Sequence, residues 1–332
     1  MEIIHLLIHT LNIMRRRFIN TGNVIDINNY LTIVALEDDL AVTTISSNIN
    51  ESLYYSIDGG EWTYIKVNLE MPRINKGHYI LLKRTLGNGN MNYIGITADK
   101  LFNLTGNCNS MIFGDNAADK FDLTGYDECY YNMFCDCPVV EVSPTFLPAT
   151  TLAYNCYCYM FEGCASLTTV PELPATTLAE SCYGGMFLGC TSLTTVPELP
   201  ATTLAESCYG SMFYGCTSLT TAPKLPVMEL VKGCYRNMFR NCTSLTTAPE
   251  LPATELASSC YNYMFYGCSK LNYIKAMFTT DPQTTSGLGY HEYTNNWVSG
   301  VASSGTFVKN KNATWDVTGV YGIPSGWAVQ TA

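Results

Sequence analysis

The fifteen cysteines have the most chemistry to offer in this chain. A thiolate can attack a carbonyl, ligate zinc or close a disulfide, and each use leaves its own spacing. Ten of them stand in two columns: Cys156, Cys182, Cys208, Cys234 and Cys260, then Cys164, Cys190, Cys216, Cys242 and Cys268. Within each column the step is 26 residues, with no insertion. The total is odd, and Leu or Val would serve equally at these in-phase positions, so the pattern reads as packing by small buried hydrophobes. No Cys-x-x-Cys occurs, and only Cys135-Asp-Cys137 and Cys156-Tyr-Cys158 are closely spaced, so neither a metal nor another cofactor is expected.

Nucleophilic catalysis also needs a base beside the nucleophile. The four histidines are His5, His9, His78 and His291, and residues 147–275 contain none. Paired carboxylates can do acid–base work, but Glu172, Glu198 and Glu250 belong to a repeated Pro-Glu-Leu. Identical residues on consecutive repeats mark structure, and no enzymatic activity is expected. A net charge of −10 argues against a groove for nucleic acid, whose affinity comes largely from Lys and Arg. The one basic run, Arg15-Arg16-Arg17, reads as a solvated tail. The mildly apolar Ile3 to Met14 precedes it, the reverse of a secretory signal's order, and is too short to span a bilayer. An ordinary export signal and membrane insertion are therefore not expected, and Met14 stands as an alternative first residue.

The elements that position these residues follow from the same period. Leu-Pro pairs recur at Leu147, Leu173, Leu199, Leu225 and Leu251, again every 26 residues. A fixed period of this length means units that cannot bury a face alone and must stack. Within one unit, Leu178, Cys182, Met186 and Cys190 are spaced by four, as are Tyr183 and Phe187, which predicts a helix of about three turns. Thr177 with Glu180, and Thr203 with Glu206, read as capping boxes. Gly163, Gly189, Gly215 and Gly267 fall where a left-handed C′ residue is wanted, with Asn241 as the tolerated substitute in the fourth repeat of the five. Ser192 to Val196 then reads as a short strand ending at Pro197. Strict alternation would bury Leu193 and Thr195, whereas a bend would bury Leu193 and Val196.

One helix and one strand per repeat is the leucine-rich-repeat layout. Helices need about 10 Å of spacing and strands just under 5 Å, so the stack is expected to curve with its strands on the concave side. Upstream, Tyr30 to Leu36, Leu40 to Ile45, Tyr54 to Ile57, Trp62 to Val67, His78 to Lys83 and Met91 to Thr97 read as short strands. Asp58-Gly59-Gly60 forms a hairpin turn and Gly87-Asn88-Gly89-Asn90 parts the last two strands. The expected fold class is thus α/β: a leucine-rich-repeat solenoid preceded by a small all-β, sandwich-like domain. The expected divisions are a tail over 1–29, the β-domain over 30–104, the solenoid with a degenerate first cap over 105–278, and a C-terminal cap over 279–332. In that cap Trp297 to Val301 reads as a last short helix, Gly305 to Lys309 as a last strand, and the tryptophans as the cover of the final repeat.

The motif Phe-x-Gly-Cys-x-Ser-Leu-Thr-Thr, at Phe187 to Thr195 and Phe213 to Thr221, resembles the BspA-type bacterial leucine-rich repeat over roughly residues 107–275. The whole arrangement is also similar to proteins of gut Bacteroidetes and their phages. The resemblance implies a surface or secreted protein concerned with adhesion. Its partners would be protein or carbohydrate on a cell surface, and its place extracellular or on a virion. The alternative is a structural part of a phage virion, its partners the virion proteins, with the repeats building the assembly; a homo-oligomer is compatible with either. Candidate contact residues lie where the frame is constant and the side chain varies: Glu162, Leu188, Tyr214, Arg240 and Tyr266, with Arg236 and Tyr263 in the neighbouring columns. A threonine ladder at Thr168, Thr194, Thr220 and Thr246 is the other candidate face.

Overall fold

The computed structural model describes residues 25–46, 52–85, 94–283 and 293–332. His5, His9, His291, the Arg15 to Arg17 run, the reading of Ile3 to Met14 and the Gly87 to Asn90 turn lie outside them. The N-terminal strands are β1 (Leu31–Ala35), β2 (Val42–Ile45), β3 (Ser52–Ile57), β4 (Thr63–Ile65), β5 (Tyr79–Thr85), β6 (Gly95–Ala98) and β7 (Phe102–Gly106). With β8 (Val139–Val142) they form a six-stranded sheet in the order β4-β3-β5-β1-β7-β8, beside a separate β2-β6 pair. Asp58 and Gly59 take φ of 52° and 72°, the left-handed pair that lets β3 turn tightly into β4. β7 and β8 were not among the expected strands. They join in parallel, so the sheet leads directly into the repeats.

The repeats do not contain the expected helix. The only α-helix among the described residues is α1 (Ser110–Phe113). In residues 155–164 the amides alternate between two destinations. Cys156, Cys158, Met160, Glu162 and Cys164 donate three residues back, to the carbonyls of Ala153, Asn155, Tyr157, Tyr159 and Phe161. Asn155, Tyr157, Tyr159, Phe161 and Gly163 donate to Glu180, Cys182, Gly184, Met186 and Leu188 of the next repeat. Every fourth residue is left-handed: Asn155, Tyr159 and Gly163 have φ of 51°, 55° and 70°. The backbone thus repeats every four residues, not every 3.6, and each repeat forms a ribbon of overlapping turns, a rung bonded to the rungs on either side.

Spacing explains why this arrangement replaces a helix. Tyr183 and Tyr209 stack with ring centroids 5.8 Å apart and planes 4° apart, and Phe187 and Phe213 do so at 5.8 Å and 5°. Two helices cannot approach to that distance, which is well under the roughly 8–10 Å their side chains require. Half the amides must then be satisfied between rungs, and left-handed residues at every fourth position aim them there. The capping boxes have no helix to cap: Thr177 and Glu180 instead offer their carbonyls to the amides of Leu152 and Asn155 on the rung before. The glycines are left-handed as expected, Gly189 at φ 74°, but as one of three such positions per rung. Without outer helices, the expected cause of curvature is gone. The strand side is thin, with isolated bridges such as Glu141 to Thr169 and Thr247 to Tyr273 in place of full strands. Leu193 is buried, Thr195 exposed and Val196 half-buried, so the bend reading holds there.

The two cysteine columns are buried, and the second has a role that Val could not fill. Cys190, Cys216, Cys242 and Cys268 donate their thiols to the carbonyls of Phe161, Phe187, Phe213 and Phe239 at 3.2, 3.1, 3.0 and 2.9 Å. Each thiol clips its rung to the preceding one. Burial pushes the thiols up, to about 11 at Cys234 and about 12 at Cys216 and Cys268, from an ordinary 9.0. Because folding raises these acids, their stabilising contribution is complete below pH 9 and is lost as pH rises through about 11 to 12. The midpoint of denaturant unfolding is accordingly expected to hold between pH 7 and 9 and to fall steeply above it. The same burial should make these thiols react with a disulfide reagent only at the rate of unfolding.

Both ends of the stack are closed. At the first rung, Tyr130 donates its hydroxyl to Asn109 Oδ1 at 2.8 Å, next to buried Met111 and Ile112 of α1. At the last, residues 293–300 form a further rung of turns, not the expected helix at Trp297: Phe265 donates its amide to the Trp297 carbonyl at 2.8 Å. Trp297 packs against both aromatic columns, on Tyr261 at 6.2 Å and Phe265 at 6.1 Å. Beyond it β9 (Tyr273–Ala276), β10 (Thr306–Lys309) and β11 (Ala328–Thr331) make a parallel sheet, which includes the expected last strand.

Candidate binding edge

Three columns of each rung leave side chains at one accessible edge, and their positions follow from the four-residue turn. Leu188, Tyr214, Arg240 and Tyr266 occupy one column, each half-buried, just before the left-handed residue that closes the turn. Ser211, Asn237 and Tyr263 occupy the left-handed position four residues earlier, at φ of 57° in each case. Gly210, Arg236 and Asn262 form the column before that. Because successive rungs are in register, residues 26 apart in sequence become neighbours.

Four of the candidate residues come together in this way. The Arg240 guanidinium lies over three rings: Tyr266 at 4.7 Å, Tyr214 at 5.2 Å and Tyr263 at 5.3 Å. Each such contact is worth about 0.5–1 kcal/mol at a partly exposed site. Tyr263 and Tyr266 meet at 6.0 Å, and Asn295 donates to the Tyr263 hydroxyl at 3.2 Å. A tyrosine at positive φ is strained, and in Tyr263 the ring contacts hold it there. No carboxylate within salt-bridge distance of Arg240 or Arg236 is found among the described residues, and Arg236 is exposed. Asn237, of the variable pair Arg236-Asn237, joins the cluster through a long contact of its Oδ1 with Arg240 at 3.5 Å. Its variability between rungs was the available signal.

The N-terminal part of the same edge has the opposite charge. Burial and the neighbouring Asp136 raise the Glu162 carboxyl, and Glu128 stands in the same rung as Asp136. Tyr131 and Tyr159 meet edge to face at 5.8 Å. Tyr159 covers Gly185 of the next rung, where an added Cβ would lie 2.3 Å from the ring, so the tyrosine and the glycine are one feature. Leu188 lies between the acidic and basic halves and is not brought into the Arg240 cluster.

The threonine ladder is exposed at Thr168, Thr194, Thr220 and Thr246. Its hydroxyls are partly engaged in the frame: Thr168 donates to the Val140 carbonyl at 3.0 Å and Thr220 to the Thr194 carbonyl at 3.4 Å. The depression beside it, lined by Thr168, Thr195, Glu172 and Pro197, has a volume of about 200 Å³, below the roughly 300 Å³ at which ligand pockets begin. Glu172 and Glu198 are exposed, and Glu250 pairs with Lys275 at 2.7 Å. His78, the one described histidine, pairs with Asp58 at 2.5 Å on the N-terminal sheet. Among the described residues no three His, Cys, Asp or Glu side chains gather as a metal would need, and no helix is long and apolar enough to cross a membrane.

Rungs stacked at a fixed 26-residue step, with a nearly constant buried frame and varied side chains outside it, define a repeat protein. Residues 155–283 match the family described as BspA type Leucine rich repeat region, in six copies. The chain therefore carries a BspA-type leucine-rich-repeat region, and such a region suggests an interaction or adhesion role. No curated protein and no solved structure matches the chain.

Proposed function

We propose that this chain is a non-enzymatic recognition protein of adhesion type, displayed outside a cell, which binds protein or glycan on a cell surface through the edge centred on Arg240. In this reading the rungs form a solenoid, and the N-terminal sheet with the β2-β6 pair is a small sandwich that anchors it. The observation that carries the reading is the convergence of Tyr214, Arg240, Tyr263 and Tyr266, at columns that vary between rungs, into one half-buried cluster. Tyrosine and arginine are also the residue types that carry most binding energy at interfaces. The test is binding of the full chain to panels of immobilised surface proteins and glycans. A Tyr214→Ser, Arg240→Gln double variant is expected to lose the signal, while a Thr194→Ser, Thr220→Ser variant keeps it. Loss in the threonine variant alone would move the binding face, and no binding to either panel would contradict the proposal.

A second reading, a structural part of a phage virion, has support from β11. It is the edge of its sheet among the described residues, and all four of its residues are exposed. An open edge strand is a template for pairing with another chain.

A further inference from the structure

The chemistry of the Arg240 cluster points to a narrower ligand class than a recognition protein requires. From Gly210 to Ser299 the three edge columns contain Arg236 and Arg240 and no carboxylate, in a chain of net charge −10. A cation left without an ion-pair partner on an acidic protein marks a place for an anion. The guanidinium lies 4.7 to 5.3 Å from the centroids of three tyrosine rings, which crowd it on several sides. A guanidinium can present two parallel N–H donors to a carboxylate, an arrangement that a mobile lysine does not reproduce.

The surroundings specify more than charge. Asn237 and the buried Asn262 lie on the same rungs and Asn295 and Asn296 on the next, with Asn262 Oδ1 accepting the Asn295 amide at 2.7 Å and Asn296 donating to Asn295 at 2.9 Å. Primary amides and tyrosine hydroxyls both donate and accept, which matches a ligand rich in hydroxyls. The tyrosine rings add flat apolar faces. Size then separates the ligand classes. The cluster spans two inter-rung steps, each close to the 5.8 Å of the stacked rings, whereas a stable protein interface covers roughly 800 Å² on each side. A patch of that width takes one or two sugar rings.

We infer that the cluster binds an acidic carbohydrate, its carboxylate on Arg240 with Arg236 nearby, its ring against tyrosine and its hydroxyls on the asparagines. The inference rests on the recognition reading above. The experiment is calorimetric titration of the full chain with tetragalacturonate, a hyaluronan tetrasaccharide and 3′-sialyllactose, with maltotetraose and lactose as neutral controls. At least one acidic sugar is expected to bind while the neutral ones do not. Arg240→Gln should weaken binding about tenfold or more, and Arg240→Lys should restore only part of it. Far-UV spectra and melting temperatures of both variants are compared with the parent, so that a folding defect is not read as lost contact. Binding of neutral and acidic sugars alike, or binding unaffected by Arg240→Gln, overturns the acidic-sugar inference and leaves the recognition reading standing. Silence toward all five sugars with capture of a surface protein through Tyr214 and Arg240 does the same. Silence toward sugars and proteins together overturns both.

Discussion

Replacing Phe213 by Ala is expected to destabilise the protein by about 3–5 kcal/mol, at the upper end for a core truncation. The ring is fully buried and stacked between Phe187 and Phe239, each 5.8 Å away. Cavity cost depends on how far the surroundings collapse, and here they are held apart. The Phe213 amide donates to Met238 on the next rung, and its carbonyl accepts both the Cys216 amide at 3.2 Å and the Cys242 thiol at 3.0 Å. Rungs bonded on both sides cannot close over the missing ring. Tyr266→Ala, which removes a half-buried ring from the edge, is expected to cost about 1 kcal/mol, the scale of the cation–π contact it breaks. Denaturant unfolding of the two variants against the parent checks the contrast. Equal costs would mean that the aromatic columns are not the core.

Trp297→Ala is expected to cost a similar amount, about 3–5 kcal/mol, and to distribute it unevenly. Trp297 packs on Tyr261, Phe265, Phe278 and Phe307 within 6.3 Å, and its indole donates to the Gly322 carbonyl at 3.0 Å. Each rung contacts only its neighbours, so removing a cap loosens the end first. Amide hydrogen exchange should therefore lose protection over residues 259–268 while Phe213 and its neighbours stay protected. Uniform loss along the chain would show that the stack unfolds only as one unit and that the cap has no local role.

The period, the columns and the caps were legible because they are written as identity at a fixed step. Leu193, Cys182, Tyr183, Met186 and Phe187 are buried as their repetition predicted. The form of the rung was not legible, because i,i+4 spacing fits a helix as well as it fits a four-residue turn. The chain does carry a contrary signal. Ser181, Gly185 and Gly189 recur at every fourth place, as do Ser207, Ser211 and Gly215, and these are weak helix formers, the glycines also at ease at positive φ. A helix has no reason to place them at every turn. At the candidate edge the variable columns were visible in the sequence, but the meeting of Arg240 with Tyr263 was not. That contact crosses rungs and depends on a 5.8 Å spacing that a helical reading excludes. The strands β7 and β8 were missed for a related reason: their partners lie on either side of the first rung, far apart in sequence.

The most direct test of the turn ladder is the stability of Ser211→Gly against Ser211→Ala, measured by denaturant unfolding. Ser211 is left-handed at φ 57° in the middle of the segment that reads as a helix, and Gly185 holds the same place one rung earlier. On the ladder, Gly relieves that conformation and Ala does not, so the Gly variant is expected to be the more stable by about 1 kcal/mol. In a helix the order reverses, with Ala the more stable by about 1 kcal/mol. The Ala variant proving more stable than the Gly variant would contradict the account.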